Sequence, residues 1–214
     1  MHDFVTALQT TRMQNCFNPY ADFCSVHDLP DAPMVRANML SDVIEKAEER
    51  SVDAIWIGRD LGYRGGRRTG LALTDDVHFN RHLSRWEVDS KRPTAGPPVA
   101  ERTASIVWEL LDAIPENVFL WNVFPLHPHD DDQPFSNRQH SRKERKVGEE
   151  ILSYLIDVLQ PSRIVAVGND ASEVAKRHSS ERSSVSVRHP SYGGQTIFRQ
   201  QIRDLYSIEH GTLI

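Results

Sequence analysis

Cysteine is nearly absent from this 214-residue chain, which has Cys16 and Cys24 and no others. Two thiols build neither a disulfide framework nor a four-thiolate zinc or iron–sulfur site. The expectation is a pair of reduced thiols in a cytoplasmic protein. Long apolar runs are missing as well. No stretch approaches the ~20 residues that a membrane span needs. No basic start leads into an apolar run near the N-terminus, so no secretory leader is expected. Excess positive charge is lacking too: 25 Lys and Arg face 30 Asp and Glu, for a net charge of -5. That balance argues against a general nucleic-acid coat or a polybasic membrane binder, because phosphates repel a net anion at long range. A local basic groove is still allowed. Internal repeats and low-complexity linkers are also missing.

What remains has globular proportions, with 39% hydrophobic and 26% charged residues. The length suits one domain over residues 1–214, with about the first 40 residues as an extension packed on it. Four short runs rich in β-branched and aromatic residues read as strands: Asp53 to Gly58, Val118 to Val123, Arg163 to Gly168 and Ser184 to Arg188. The first three are continuous rather than alternating, as in strands covered on both faces. Helical periodicity separates them. Leu40, Val43, Ile44 and Ala47 share one face, as do Ile106, Val107, Leu110 and Leu111. Ser141 and Glu144 form a capping box for a helix to Leu159 that turns Val147, Ile151, Leu155, Val158 and Leu159 inward. Asp170 and Glu173 mark another helix start, and Phe198, Ile202, Leu205 and Tyr206 a last helix. The segments 61–83, 89–98 and 124–139 resist regular assignment. Strands alternating with helices imply a three-layer α/β/α sandwich around a four-stranded parallel sheet.

Ligands of such sheets bind beyond the carboxyl ends of the strands. Those ends carry Gly58-Arg59-Asp60-Leu61-Gly62-Tyr63, Asn122-Val123-Phe124, Gly168-Asn169-Asp170 and His189-Pro190-Ser191. Taken alone, Asp60 suits a turn. Asn122 in an apolar strand needs partners for its amide, and core pairing and ligand reading both account for it. His189 before proline is held extended, as at a strand end.

Together these residues resemble the uracil-DNA glycosylase superfamily. Gly58 to Tyr63, continuing into Thr69 to Thr74, is similar to its first motif, and His189-Pro190-Ser191 to its second. Pro97-Pro98 resembles its proline-rich DNA loop and Gly168-Asn169 the loop after its third strand. The resemblance implies monofunctional excision of uracil from DNA without a cofactor or metal, by a monomer. Asp60 would stabilise the sugar cation and orient water, His189 would stabilise the departing base, and Asn122 would read it. Gly58, Arg59, Gly62, Tyr63, Leu73, Ser191 and Tyr192 would line the base pocket. Arg64, Arg67, Arg68, Pro97, Pro98, Gly168 and Asn169 would follow the DNA.

Departures from the pattern also carry implications. Leu73 stands where the best-known branch stacks a phenylalanine, and Gly62 where it uses a tyrosine to exclude thymine. Tyr192-Gly193-Gly194 lacks the leucine wedge, which makes duplex extrusion costlier and favours single strands. The iron–sulfur cysteines of some branches are absent. Excision of hypoxanthine or mismatched thymine, or an idle DNA-binding relative, are the alternatives. For Arg138, Arg142, Lys143, Arg145 and Lys146 interleaved glutamates favour a solvated helix face. His127, His129 and Asp130 to Asp132 match no metal spacing and read as an acidic surface loop, with His127 as a further pocket candidate.

Overall fold

The continuous apolar runs become the middle layer of an α/β/α sandwich in the computed structural model, which describes residues 1–178 and 182–209. In chain order the elements are α1 (Asp3–Thr10), β1 (Cys16–Phe17), α2 (Ala32–Arg50), β2 (Ala54–Asp60), α3 (Gly66–Thr69), α4 (Phe79–Arg85) and α5 (Arg102–Leu111). There follow β3 (Val118–Phe124), β4 (His127–Pro128), α6 (Arg142–Leu159), β5 (Arg163–Val167), α7 (Asn169–Ala175), β6 (Ser183–Val187) and α8 (Gln195–Tyr206). The main sheet is parallel in the order β3-β2-β5-β6.

Side chains alternate across a strand, so each run feeds two cores. Ile55, Ile57, Trp121, Val123, Ile164 and Ala166 join residues of α1, α2, α6 and α7 on one face. Ala54, Trp56, Val118, Leu120, Val165 and Val167 join α5 and α8 on the other. Two buried faces explain why these strands lack a polar stripe. The N-terminal segment shares the first core: Phe4 packs edge-on against Trp121 at 5.5 Å, and β1 pairs antiparallel with β4.

Helix α6 begins at the expected capping box, where the Ser141 hydroxyl accepts the Glu144 N–H and the Glu144 carboxylate accepts that of Ser141. Its inward face is rotated from the periodicity reading. Gly148, Leu152, Leu155, Ile156 and Leu159 are buried, while Val147, Ile151 and Val158 lie at the margin. The reason is a close approach at glycine: a Cβ on Gly148 would sit 2.2 Å from the Val123 carbonyl oxygen. The segment 61–83 is also more ordered than its composition suggests, since it carries α3 and α4.

Gly148→Ala tests this packing. Helix propensity alone favours alanine by about 1 kcal/mol. The backbone contact reverses the sign, and the variant should lose about 1–3 kcal/mol in urea denaturation. A gain in stability would contradict the close approach.

Candidate active site

Beyond the carboxyl ends of the strands lies a cavity of about 670 Å³, lined among others by Asp60, Leu73, Glu101, Gly168, His189 and Tyr192. Asp60 ends β2. One of its carboxylate oxygens accepts from Arg59 Nε at 2.7 Å, and the other meets His140 Nδ1. The far nitrogen of His140 lies 3.3 Å from Asp170 Oδ2 at the start of α7. Asp170 in turn is paired with Arg145 of α6 at 3.0 Å.

Strand register sets the next group. Asn122 of β3 is the partner of Gly58 on β2, two residues before Asp60. A Cβ on Gly58 would lie 2.4 Å from Asn122 Oδ1 and 3.1 Å from the Leu73 side chain, so the missing side chain makes the room that this amide fills. Asn122 is 1% exposed, and neither its Oδ1 nor its Nδ2 has a hydrogen-bond partner. Such a group costs about 1–3 kcal/mol to leave unpaired, an expense typical of functional positions rather than cores. Its neighbour Leu73 sits in left-handed backbone at φ 52°, a strained conformation for a branched residue. Trp108 Nε1 donates to the Leu73 carbonyl at 3.2 Å and holds that loop in place.

His189 follows β6. Its Nδ1 accepts the Ser191 backbone N–H at 3.1 Å, which leaves the ring proton on Nε2. Burial, followed by the charges of Arg59 and Arg188, lowers the His189 pKa to about 4, so the ring is neutral at physiological pH. Gly168, at φ 94°, lets the loop after β5 pass this ring: a Cβ there would meet His189 Cβ at 3.2 Å. Next to Ser191, Tyr192 is 97% exposed and left-handed at φ 49°.

Three groups around the cavity are not singled out as site residues from sequence. Glu101 lies at the entry to α5, and its carboxyl fills the space beside Gly62 and Gly65. Burial, with the neighbouring Asp75 carboxylate, pushes its pKa up to about 7. His140 belongs to no motif. Asp170 stands directly after a strand end, a signal that the helix-start reading absorbed.

Other expected site residues lie elsewhere. Arg67 and Arg68, expected along the DNA, are buried instead. The Arg67 guanidinium sits 3.9 Å from the Phe17 ring centroid and donates to His127 Nδ1 at 3.0 Å. Arg68 donates from Nε to Asp76 at 2.8 Å. The Arg68 charge is paired with Asp76, whereas Arg67 is held between the Phe17 and Phe135 rings and His127 without a carboxylate partner among the described ion pairs. His127, the pocket candidate, is wholly buried beneath Arg67 and does not line the cavity. Tyr63 is half-buried off the cavity wall, with its backbone N–H on Asn137 and its hydroxyl on Arg64 Nε at 3.0 Å. Arg59, Arg64, Asn169, Pro97 and Pro98 are exposed, and Arg59, Asn169 and Ser191 line the cavity. In the basic run that leads into α6, Arg138 is paired with Glu144 and Arg145 with Glu149 and Asp170.

A strand-end carboxylate and a neutral histidine thus line one cavity, while Gly58 and the unpaired Asn122 amide, both expected in the pocket, lie buried behind its Leu73 wall. Residues 49–206 match the family described as the Uracil DNA glycosylase superfamily. The chain belongs to that superfamily, whose members are DNA glycosylases. Among solved structures it is similar to the crystal structure of wild-type Pedobacter heparinus SMUG2. That likeness has a TM-score of 0.64 and 13% identity, and covers 96% of this chain and 97% of the other, so it speaks for the fold. No curated protein matches. Among the described residues, no helix is long and apolar enough to cross a membrane.

The Glu101 shift predicts a pH dependence of stability. The unfolded side chain titrates near 4.5 and the folded one near 7. Between those values the unfolded state loses its proton first, so stability falls as pH rises and levels off above 7, by about 3 kcal/mol in all. Glu101→Gln should therefore gain about 2 kcal/mol more over the parent at pH 8 than at pH 5 in urea titrations. A difference independent of pH would contradict the assigned environment.

Proposed function

We propose that the protein excises uracil from DNA by hydrolysing the N-glycosidic bond, leaving an abasic site. One observation carries this reading: the orphaned Asn122 amide, buried beside Gly58 and Leu73 just behind the cavity that Asp60, Leu73 and His189 line. An amide presents one donor and one acceptor, which complements the O4 and N3–H of uracil and mispairs with cytosine. In the reaction the C1′–N1 bond breaks as a water oxygen bonds to C1′. The Asp60 carboxylate stabilises the positive sugar and accepts the water proton. His189, neutral with its proton on Nε2, donates toward the uracil O2 as the base departs with the bonding pair. Groups poised where charge develops act on the transition state more than on the ground state.

Single-stranded DNA fits this rim better than duplex. Tyr192 offers an exposed ring for stacking on an unpaired base, and no apolar wedge follows His189-Pro190-Ser191. A second reading, excision of a wider set of bases, is favoured by the position of Glu101. A carboxyl rather than an aromatic ring occupies the space beside Gly62.

Oligonucleotides carrying uracil, hypoxanthine or mismatched thymine, incubated with the protein and then cleaved at abasic sites, decide between these readings. Uracil should be removed, faster from single strands than from the matched duplex. Asp60→Asn should lower the rate at least about 100-fold. Activity of Asp60→Asn at the parent level would refute the role of that carboxylate. Cleavage of hypoxanthine or thymine at rates near that of uracil would establish the wider range.

A further inference from the structure

We propose that His140 is a positioning residue for Asp60, holding its carboxylate in the plane that the reaction requires. The inference rests on the glycosylase reading above. An ionised carboxylate only accepts hydrogen bonds, so the contact with Asp60 Oδ1 is donated by His140 Nδ1–H. This contact is an interior one: the side chains of His140 and Asp60 are 2% and 6% exposed. Arg59, the second partner of Asp60, is 45% exposed on the rim and adjacent in sequence, an arrangement of small energetic worth. Orientation of the carboxylate therefore falls to His140.

The ring is held between Phe124 and the start of α7. It packs against Phe124, the β3 residue in register with Asp60, with ring centroids 6.2 Å apart. Asp170 Oδ2 lies 3.3 Å from Nε2, which makes no hydrogen bond, and Asp170 is itself held by Arg145 and by Gln139 Nε2 at 3.3 Å. Ser141, the next residue, is pinned by the capping box of α6. A line of contacts thus runs from α6 and α7 through His140 to the strand end. Rotation of Asp60 about its last torsion would swing the carboxylate off the sugar, and misplacement by about 1 Å costs up to about 100-fold in rate.

Filling space and donating to Asp60 are separable roles. Leucine approximates the volume of histidine without a donor, while asparagine places its Nδ2 amide where Nδ1 lies. Single-turnover cleavage of a single-stranded uracil oligonucleotide, measured together with its dissociation constant, should show His140→Leu slowed about 10- to 100-fold at unchanged affinity. His140→Asn should recover most of the rate. Parent-level cleavage by His140→Leu, or equal slowing in both variants, would overturn the proposal. An activity-independent readout separates its failure from failure of the glycosylase reading, and serves if His140→Leu does not fold. NMR of the parent should show an exchange-protected imidazole Nδ1–H from His140 that survives in Arg59→Ala and is lost in Asp60→Ala. A resonance unchanged in Asp60→Ala would overturn the pairing even in a protein that cleaves no uracil.

Discussion

The parallel register between β2 and β3 is the constraint on which the site depends. Pairing Gly58 with Asn122 puts the amide beside the one β2 position that carries no side chain. Asp60, two residues further, is then delivered to the same rim. A shift of one residue would turn Asn122 into the opposite core and replace it with an apolar neighbour. Register in turn is held by burial on both faces, because Trp56 and Leu120 serve one core while Ile57 and Trp121 serve the other. The stability of the sheet and the geometry of the site are one requirement.

Charge is distributed to suit a transient grip on DNA. Two arginines of the glycine-rich loop are consumed internally, Arg67 by aromatic rings and His127, and Arg68 by Asp76. Exposed Arg59 and Arg188 line the cavity, and Arg64 is exposed in the glycine-rich loop. On a chain of net charge -5, such a thin basic edge implies weak nonspecific binding that salt disrupts easily. An enzyme that inspects one base after another is served by that weakness.

The strands, the capping box of α6 and the strand-end groups Asp60, Asn122 and His189 were legible because each follows from local pattern: continuous apolar runs, a Ser-x-x-Glu spacing, a polar residue breaking an apolar run. Features that arise from long-range packing were not. The inward face of α6 is set by the approach of Gly148 to β3, which periodicity averages away. Arg67 and Arg68 look like surface charge until Phe17 and Asp76 are brought to them from elsewhere in the chain. His140 meets Asp60 across 80 residues, and Glu101 reaches Gly62 from the start of another helix. Neither contact leaves a trace in the spacing of either residue.

The central claim is that the Asn122 amide reads the base that Asp60 and His189 release. Its most direct test is excision by Asn122→Asp from single strands that carry either uracil or cytosine. A carboxylate accepts from the cytosine amino group and repels the uracil O4, so the variant should gain measurable cytosine excision. Uracil excision should fall by more than about 10-fold. Parent-level removal of uracil with no gain on cytosine would contradict the account.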